Sequence, residues 1–206
     1  TGKYEQGFIS KSSLGNLINE LGYILRKVQK TKPLKKIPET NLIFENVFNR
    51  KAIAMANDSC ALISIDTKDK VLIGPYSRNG KARIDVKACD HELTNDCRIP
   101  FGILDIKKSM PHFYNFKHKP TSQAIVDCIE DFWKNNYANT NVNSLAILLD
   151  NGPDNSGVRT IFLKALVEFA NKYKITIELI YYPPYHSKYN PVERLWARLE
   201  KIGMTN

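Results

Sequence analysis

An α/β fold, with a mixed sheet flanked by helices, follows from three features of the sequence. Apolar runs over residues 60–65 and 145–149 are the length of buried strands, and each stops abruptly at an acid, Asp66 and Asp150. Residues 121–137 and 158–173 instead repeat their apolar side chains at helical spacing. The 206 residues are 43% hydrophobic, enough to bury one main core with a small appendage, which excludes a largely disordered chain.

Taken in order, residues 12–29 place Leu14, Leu17, Ile18 and Leu21 on one helical face, with Ser12 or Ser13 as N-cap and Gly22 as C-cap. Pro33 and Pro38 punctuate a basic linker, and residues 42–55 read as a second amphipathic helix. The first strand ends at Asp66. Residues 71–78 and 82–88 predict a hairpin about Asn79-Gly80, because Asn-Gly supplies positive φ at little cost. A further strand, 101–106, follows Pro100. Thr121 or Ser122 caps a helix reaching Tyr137, with Ala124, Ile125, Cys128, Ile129, Phe132 and Trp133 turned inward as core. The strand 145–149, the loop 151–157 and the helix 158–173 lead to a last strand, 175–182, which Pro183-Pro184 terminate by removing two backbone donors. Asn190 then reads as an N-cap and Pro191 as the first residue of a closing helix that carries Val192, Glu193, Leu195, Trp196 and Leu199.

This order of elements matches a ribonuclease-H-like mixed five-stranded sheet flanked by helices, with a small helical N-terminal appendage. Residues 1–56 are the helical, basic segment and residues 57–206 the sheet domain. In such a fold the first and fourth strands are neighbours and the closing helix crosses them, so Asp66, Asp150 and Glu193 meet at one edge. Taken alone, Glu193 is an ordinary first-turn acid favoured by the helix dipole. Beside two strand-end acids it suggests a metal site.

Charge points to a polyanionic partner. The net charge is +9, and residues 1–50 carry nine Lys/Arg against four Asp/Glu. Arg26, Lys27, Lys30, Lys32, Lys35 and Lys36 follow one another with no acid among them, as in a phosphate-contacting arm or a solvated linker. No apolar run approaches the ~20 residues that span a bilayer, and the first residues do not read as a signal peptide, so the expected location is cytoplasmic, at the nucleoid, with no membrane partner. Cys60, Cys89, Cys97 and Cys128 form no Cys-x-x-Cys pair; they read as small buried hydrophobes, and Cys89, His91 and Cys97 lack a fourth zinc ligand.

Four blocks carry a family resemblance: Ser64-Ile-Asp66-Thr-Lys68; Ile99-Pro-Phe-Gly-Ile-Leu-Asp105; Leu149-Asp150-Asn-Gly with Asn155-Ser156; and the long block from Tyr182-Pro-Pro-Tyr-His through Asn190-Pro-Val-Glu193-Arg-Leu-Trp196. The last is the specific one. Together they resemble bacterial insertion-sequence transposases with a DDE catalytic domain, of the ISAzo-thirteen-like family within the mariner-like group. The N-terminal helix resembles the end of a helix-turn-helix region. The chain stops thirteen residues after Glu193, and under the resemblance it reads as either a fragment or a decayed copy.

The resemblance implies a catalytic and metal-binding triad of Asp66, Asp150 and Glu193. It implies two Mg²⁺ or Mn²⁺ ions about 3.5–4 Å apart, with Asp66 bridging them. Water would release a 3′ hydroxyl at the element end, and that hydroxyl would attack target DNA. The expected partner is double-stranded DNA, both terminal repeats and target, bound by a homodimer or larger assembly. Besides the basic arm, Lys68, His186, Lys188 and Arg194 are the expected DNA contacts, with a surface histidine the plain alternative for His186. Asn151 and Asn155 could orient water or a phosphate. Asp90 and Asp105, at other strand ends, are the acids most easily mistaken for the triad. Rival readings are a ribonuclease-H-like nuclease and a catalytically inactive or domesticated DNA-binding protein.

Overall fold

The computed structural model describes residues 10–24, 37–72, 97–150 and 160–196. The chain divides into two compact units, Thr1–Leu34 and Lys35–Asn206. In the first, α1 (Lys11–Glu20) is capped by Ser10, whose hydroxyl accepts from the Ser13 N–H at 3.0 Å. The cap falls two or three residues before the expected Ser12 or Ser13. Gly22 follows the helix at φ +86°, a left-handed conformation that glycine adopts without strain. The six basic residues from Arg26 to Lys36 lie outside the described residues.

The second unit runs α2 (Thr40–Ala56), β1 (Cys60–Thr67), β2 (Val71–Leu72), β3 (Cys97–Asp105), β4 (Met110–Phe116), α3 (Ser122–Asn136), β5 (Ser144–Leu149), α4 (Thr160–Tyr173) and β6 (Thr176–Tyr181). A 3-10 turn over Ser187–Tyr189 follows, and residues 193–196 are helical. The unit boundary lies earlier than the expected 56/57. Val47 and Ala54 of α2 are buried with Leu62, Ala146, Leu148 and Ile180 of the sheet, so α2 belongs to the sheet's own core.

β1 pairs antiparallel with β3 and parallel with β5; β5 pairs parallel with β6, and β4 pairs antiparallel with β3. β2 pairs with Cys97 and Arg98 of β3 one register step off the line of β1, so it prolongs that strand and the sheet is five strands wide. Most of the hairpin expected over residues 71–88 lies outside the described residues. The hairpin beside β1 is β3/β4, turned through Ser109 at φ 53°.

β4 has no counterpart in the sequence reading, because Pro111, His112 and Asn115 break its apolar pattern. Proline is tolerated there since β4, among the described residues, pairs only with β3 and lies at the edge of the sheet. β3 also begins earlier than expected, at Cys97, and takes in Pro100.

The period of two along each strand separates the sheet into two faces. Ala61, Ile63, Ile65, Leu145, Ile147 and Leu149 pack against Ile125, Ile129, Phe132 and Trp133 of α3 and Phe162, Leu166 and Phe169 of α4. Thr121 caps α3, its hydroxyl accepting from the Ala124 N–H at 3.2 Å. Cys60, Leu62, Ala146 and Leu148 face α2 instead. Cys60 and Cys128 are buried as free thiols, as read from the sequence, and Cys97 is half-buried.

Candidate active site

The parallel pairing of β1 with β5 sets the decisive register. Ser64 lies opposite Leu148, and the same register carried two residues on sets Asp66, still paired with β3, beside Asp150 just past the end of β5, at the carboxyl-terminal edge of the sheet. By the period of two they also share the face that carries Leu62 and Leu148.

The segment after β6 is pinned onto that face. Tyr182 extends the ladder, its N–H donating to the Leu149 carbonyl at 3.0 Å, and the chain then turns through Tyr185 at φ 65°. Asn190, 1% exposed, sends its side chain into the sheet: Nδ2 donates to the Ile65 carbonyl at 2.8 Å, and Oδ1 accepts from the Ser64 hydroxyl. Ser64 Oγ in turn accepts from the Val192 N–H at 3.0 Å. Asn190 was expected to cap the closing helix. Its side chain instead ties that helix's entry to β1, satisfying the buried Ser64 hydroxyl and Ile65 carbonyl, while the equally buried N–H of Val192 at the helix entry is met by Ser64 Oγ.

One turn further on, the Trp196 indole Nε1–H donates to Oδ2 of Asp66 at 2.7 Å. A gap opposite Asp66 admits this ring. Asp66 pairs with Gly102 on β3, and a Cβ at Gly102 would meet Trp196 Cη2 at 2.8 Å and Val192 Cγ2 at 3.1 Å. Any other residue there would push the closing helix away from the sheet.

The half-buried Asp66 carboxyl is pushed up to about 7. Burial is the main cause; the Trp196 bond and the Thr67 N–H pull the other way, and the charges of Glu193 and Asp150 add to the rise. Both acids are thus near enough for Asp66 to feel them. As the side chains stand, no three acids, histidines or cysteines among the described residues are gathered closely enough to hold a metal ion. The donor chemistry suits a hard divalent ion, three carboxylates at one edge, but the ion would have to draw them together.

Asp105, the acid most easily confused with this set, lies elsewhere. It pairs with Ile63 on the opposite face, is 1% exposed, and accepts from the Tyr137 hydroxyl and from the Lys108 N–H at 3.1 Å. It closes the β3/β4 turn onto α3.

Of the expected DNA contacts, Lys188 and Arg194 are exposed, and Lys68 is half-buried with its ammonium 5.8 Å from the Trp196 ring centroid. His186 is 2% exposed, edge-on to Phe44 of α2 at 5.3 Å, with a ring nitrogen 2.7 Å from the Pro184 carbonyl. That placement makes it a packing group of the turn. Asp90, Asn151 and Asn155 lie outside the described residues. Ser64, Asn190, Gly102 and Trp196 are the site residues to which the sequence reading gave no such role. Ser64 left a signal, a hydroxyl at the centre of a buried strand.

The family described as "Rhodopirellula transposase DDE domain" matches residues 3–203 of the chain. Among solved structures, the fold is similar to the Mos1 transposase paired-end complex with left transposon end, at TM-score 0.56 and 14% identity over 94% of this chain and 57% of that one. It is similar also to the Mos1 mariner paired end complex with Mn, at TM-score 0.55 and 13% identity, and to the Mos1 strand transfer complex, at 0.55 and 14%. Each of these two covers 93% of this chain and 56% of the other. At such identities the likeness is one of fold, and the chain spans little more than half the length of the transposase it matches. No curated protein sequence matches the chain. No helix among the described residues is long and apolar enough to cross a membrane.

Proposed function

Because the chain belongs to the family of Rhodopirellula transposase DDE domains, we propose that it cuts DNA at the ends of a mobile element and joins the freed 3′ ends to a target, using Asp66, Asp150 and Glu193 as its catalytic carboxylates. The observation that carries this reading is geometric: the parallel register of β1 with β5 brings Asp66 beside Asp150, and the closing helix that bears Glu193 is tied to Asp66 through the Trp196 N–H. Mg²⁺ or Mn²⁺, two ions in the fullest form of the proposal, supplies the Lewis acidity that makes water nucleophilic and neutralises the leaving 3′ oxygen.

The chain's own residues do the rest. Asp66, Asp150 and Glu193 would hold the ions, with Asp66 as the carboxylate common to both and Asp150 and Glu193 completing the set. Lys68, whose ammonium lies 5.8 Å from the Trp196 ring centroid, and the exposed Lys188 and Arg194 would suit the phosphates on either side of the scissile bond. Buried Ser64 and Asn190 fix the closing helix, and with it Glu193, on the rigid centre of the sheet. The Mos1 structures, described as complexes with transposon ends, Mn and Mg, support DNA ends and divalent ions as partners. Paired ends would call for a dimer or larger assembly.

One observation favours a second reading, a DNA binder that no longer cuts: the three acids are not gathered as they stand. A single experiment separates the two. The protein is incubated with labelled terminal-repeat DNA and a supercoiled target in Mg²⁺ or Mn²⁺. Metal-dependent nicks and joined products that vanish in Asp66→Asn, with DNA binding retained, are expected. DNA binding by the wild-type chain with no metal-dependent product would leave only the binder, and cleavage without joining would point to a simple nuclease.

A further inference from the structure

We propose that Trp196 is the positioning residue of the carboxylate site, setting the Asp66 rotamer and the distance between Asp66 and Glu193. The inference rests on the metal-site reading above and deepens it. Glu193 and Trp196 lie one helical turn apart, so their side chains leave the same side of the closing helix. The indole N–H, 2.7 Å from Oδ2 of Asp66, therefore links the helix that carries one proposed ligand to the strand that carries another. One carboxylate oxygen is committed to the protein, and Oδ1 remains for Asp66's other partners.

The ring is a rigid donor. It is 4% exposed, lies in the slot that Gly102 leaves opposite Asp66, and has Phe113 of β4 at 5.7 Å and the Lys68 ammonium at 5.8 Å between centres. A tightly packed tryptophan that donates to a carboxylate fixes that group as outer hydrogen-bond partners fix metal ligands, and loss of such partners weakens metal binding about 10–100-fold.

The test replaces the indole N–H while keeping the ring. Trp196→Phe removes the donor by mutation, and β-(3-benzothienyl)alanine at position 196 substitutes sulfur for N–H with nearly unchanged shape. Mn²⁺ affinity is measured by calorimetry alongside the metal-free melting temperature. The account expects the benzothienyl protein to melt within a few degrees of wild type and to bind Mn²⁺ at least about 10-fold more weakly. An NMR readout independent of activity accompanies it. The wild-type protein has two indole N–H signals, from Trp133 and Trp196; Trp196→Phe assigns them, and Mn²⁺ should broaden the Trp196 signal while sparing that of Trp133 on the other face of the sheet. If wild type binds Mn²⁺ and the benzothienyl protein binds it equally well, the positioning role is overturned while the metal site stands; if the Trp196 signal stays sharp at saturation, the ion is bound away from Asp66 and the metal-site reading falls with it. If wild type binds no Mn²⁺, both fall together.

Discussion

Replacing Asp66 by Asn should stabilise the metal-free protein, and by an amount that depends on pH in a defined way. In the folded chain burial and two neighbouring acids hold the Asp66 carboxyl near 7, against 3.8 for the free group. A raised carboxyl favours the protonated state, so its contribution is fully present below the unfolded value and is lost as pH rises through the folded one. Across that interval, at about 1.4 kcal/mol for each tenfold change, the ionised form costs up to about 4 kcal/mol. Asn keeps the shape and the acceptor for Trp196 but carries no charge. Urea denaturation in EDTA should therefore find Asp66→Asn and wild type similar at pH 3.5. The variant should gain roughly 1.5 kcal/mol at pH 5 and up to about 4 kcal/mol at pH 8. Saturating Mg²⁺ at pH 8 should narrow the gap by stabilising wild type alone. An advantage that does not grow between pH 4 and 7, or a variant less stable than wild type at pH 8, would refute the electrostatic picture of the site.

Two further substitutions probe the scaffold. Asn190→Ala strands the buried Ser64 hydroxyl and Ile65 carbonyl, and should cost about 2–3 kcal/mol in urea denaturation. Gly102→Ala places a methyl group 2.8 Å from the Trp196 ring. It should cost about 1–3 kcal/mol and weaken Mn²⁺ binding by displacing the closing helix, both read by calorimetry.

What could be read from the sequence divides along a physical line. The strand 60–66 and the helix 122–136 declare themselves through local periodicity, and the acids that end β1 and β5 fall at the sheet's functional edge because any open α/β sheet places ligands there. Asn190 looked like a helix cap because Asn before Pro is a good local start signal, yet its side chain serves β1, a partner 125 residues away. The Trp196 bond to Asp66 spans 130 residues and leaves no periodic trace. His186 was expected at a phosphate or the surface, and only the arrival of Phe44 from α2 makes its position interior. β4 escaped because, among the described residues, it pairs along one hydrogen-bonding edge only, so the N–H that Pro111 lacks costs it little and its pattern can be broken. Local rules thus found the elements and the acids, and the contacts that orient those acids are tertiary.

The central claim, that Asp66, Asp150 and Glu193 together hold divalent ions, is tested most directly by diffraction from crystals soaked in Mn²⁺ near the manganese absorption edge. The account predicts anomalous density at the carboxyl end of β1 and β5, with oxygens of all three side chains at about 2.0–2.3 Å from one or other ion. Density elsewhere, or at that edge with any one of the three carboxylates turned away from it, would contradict it.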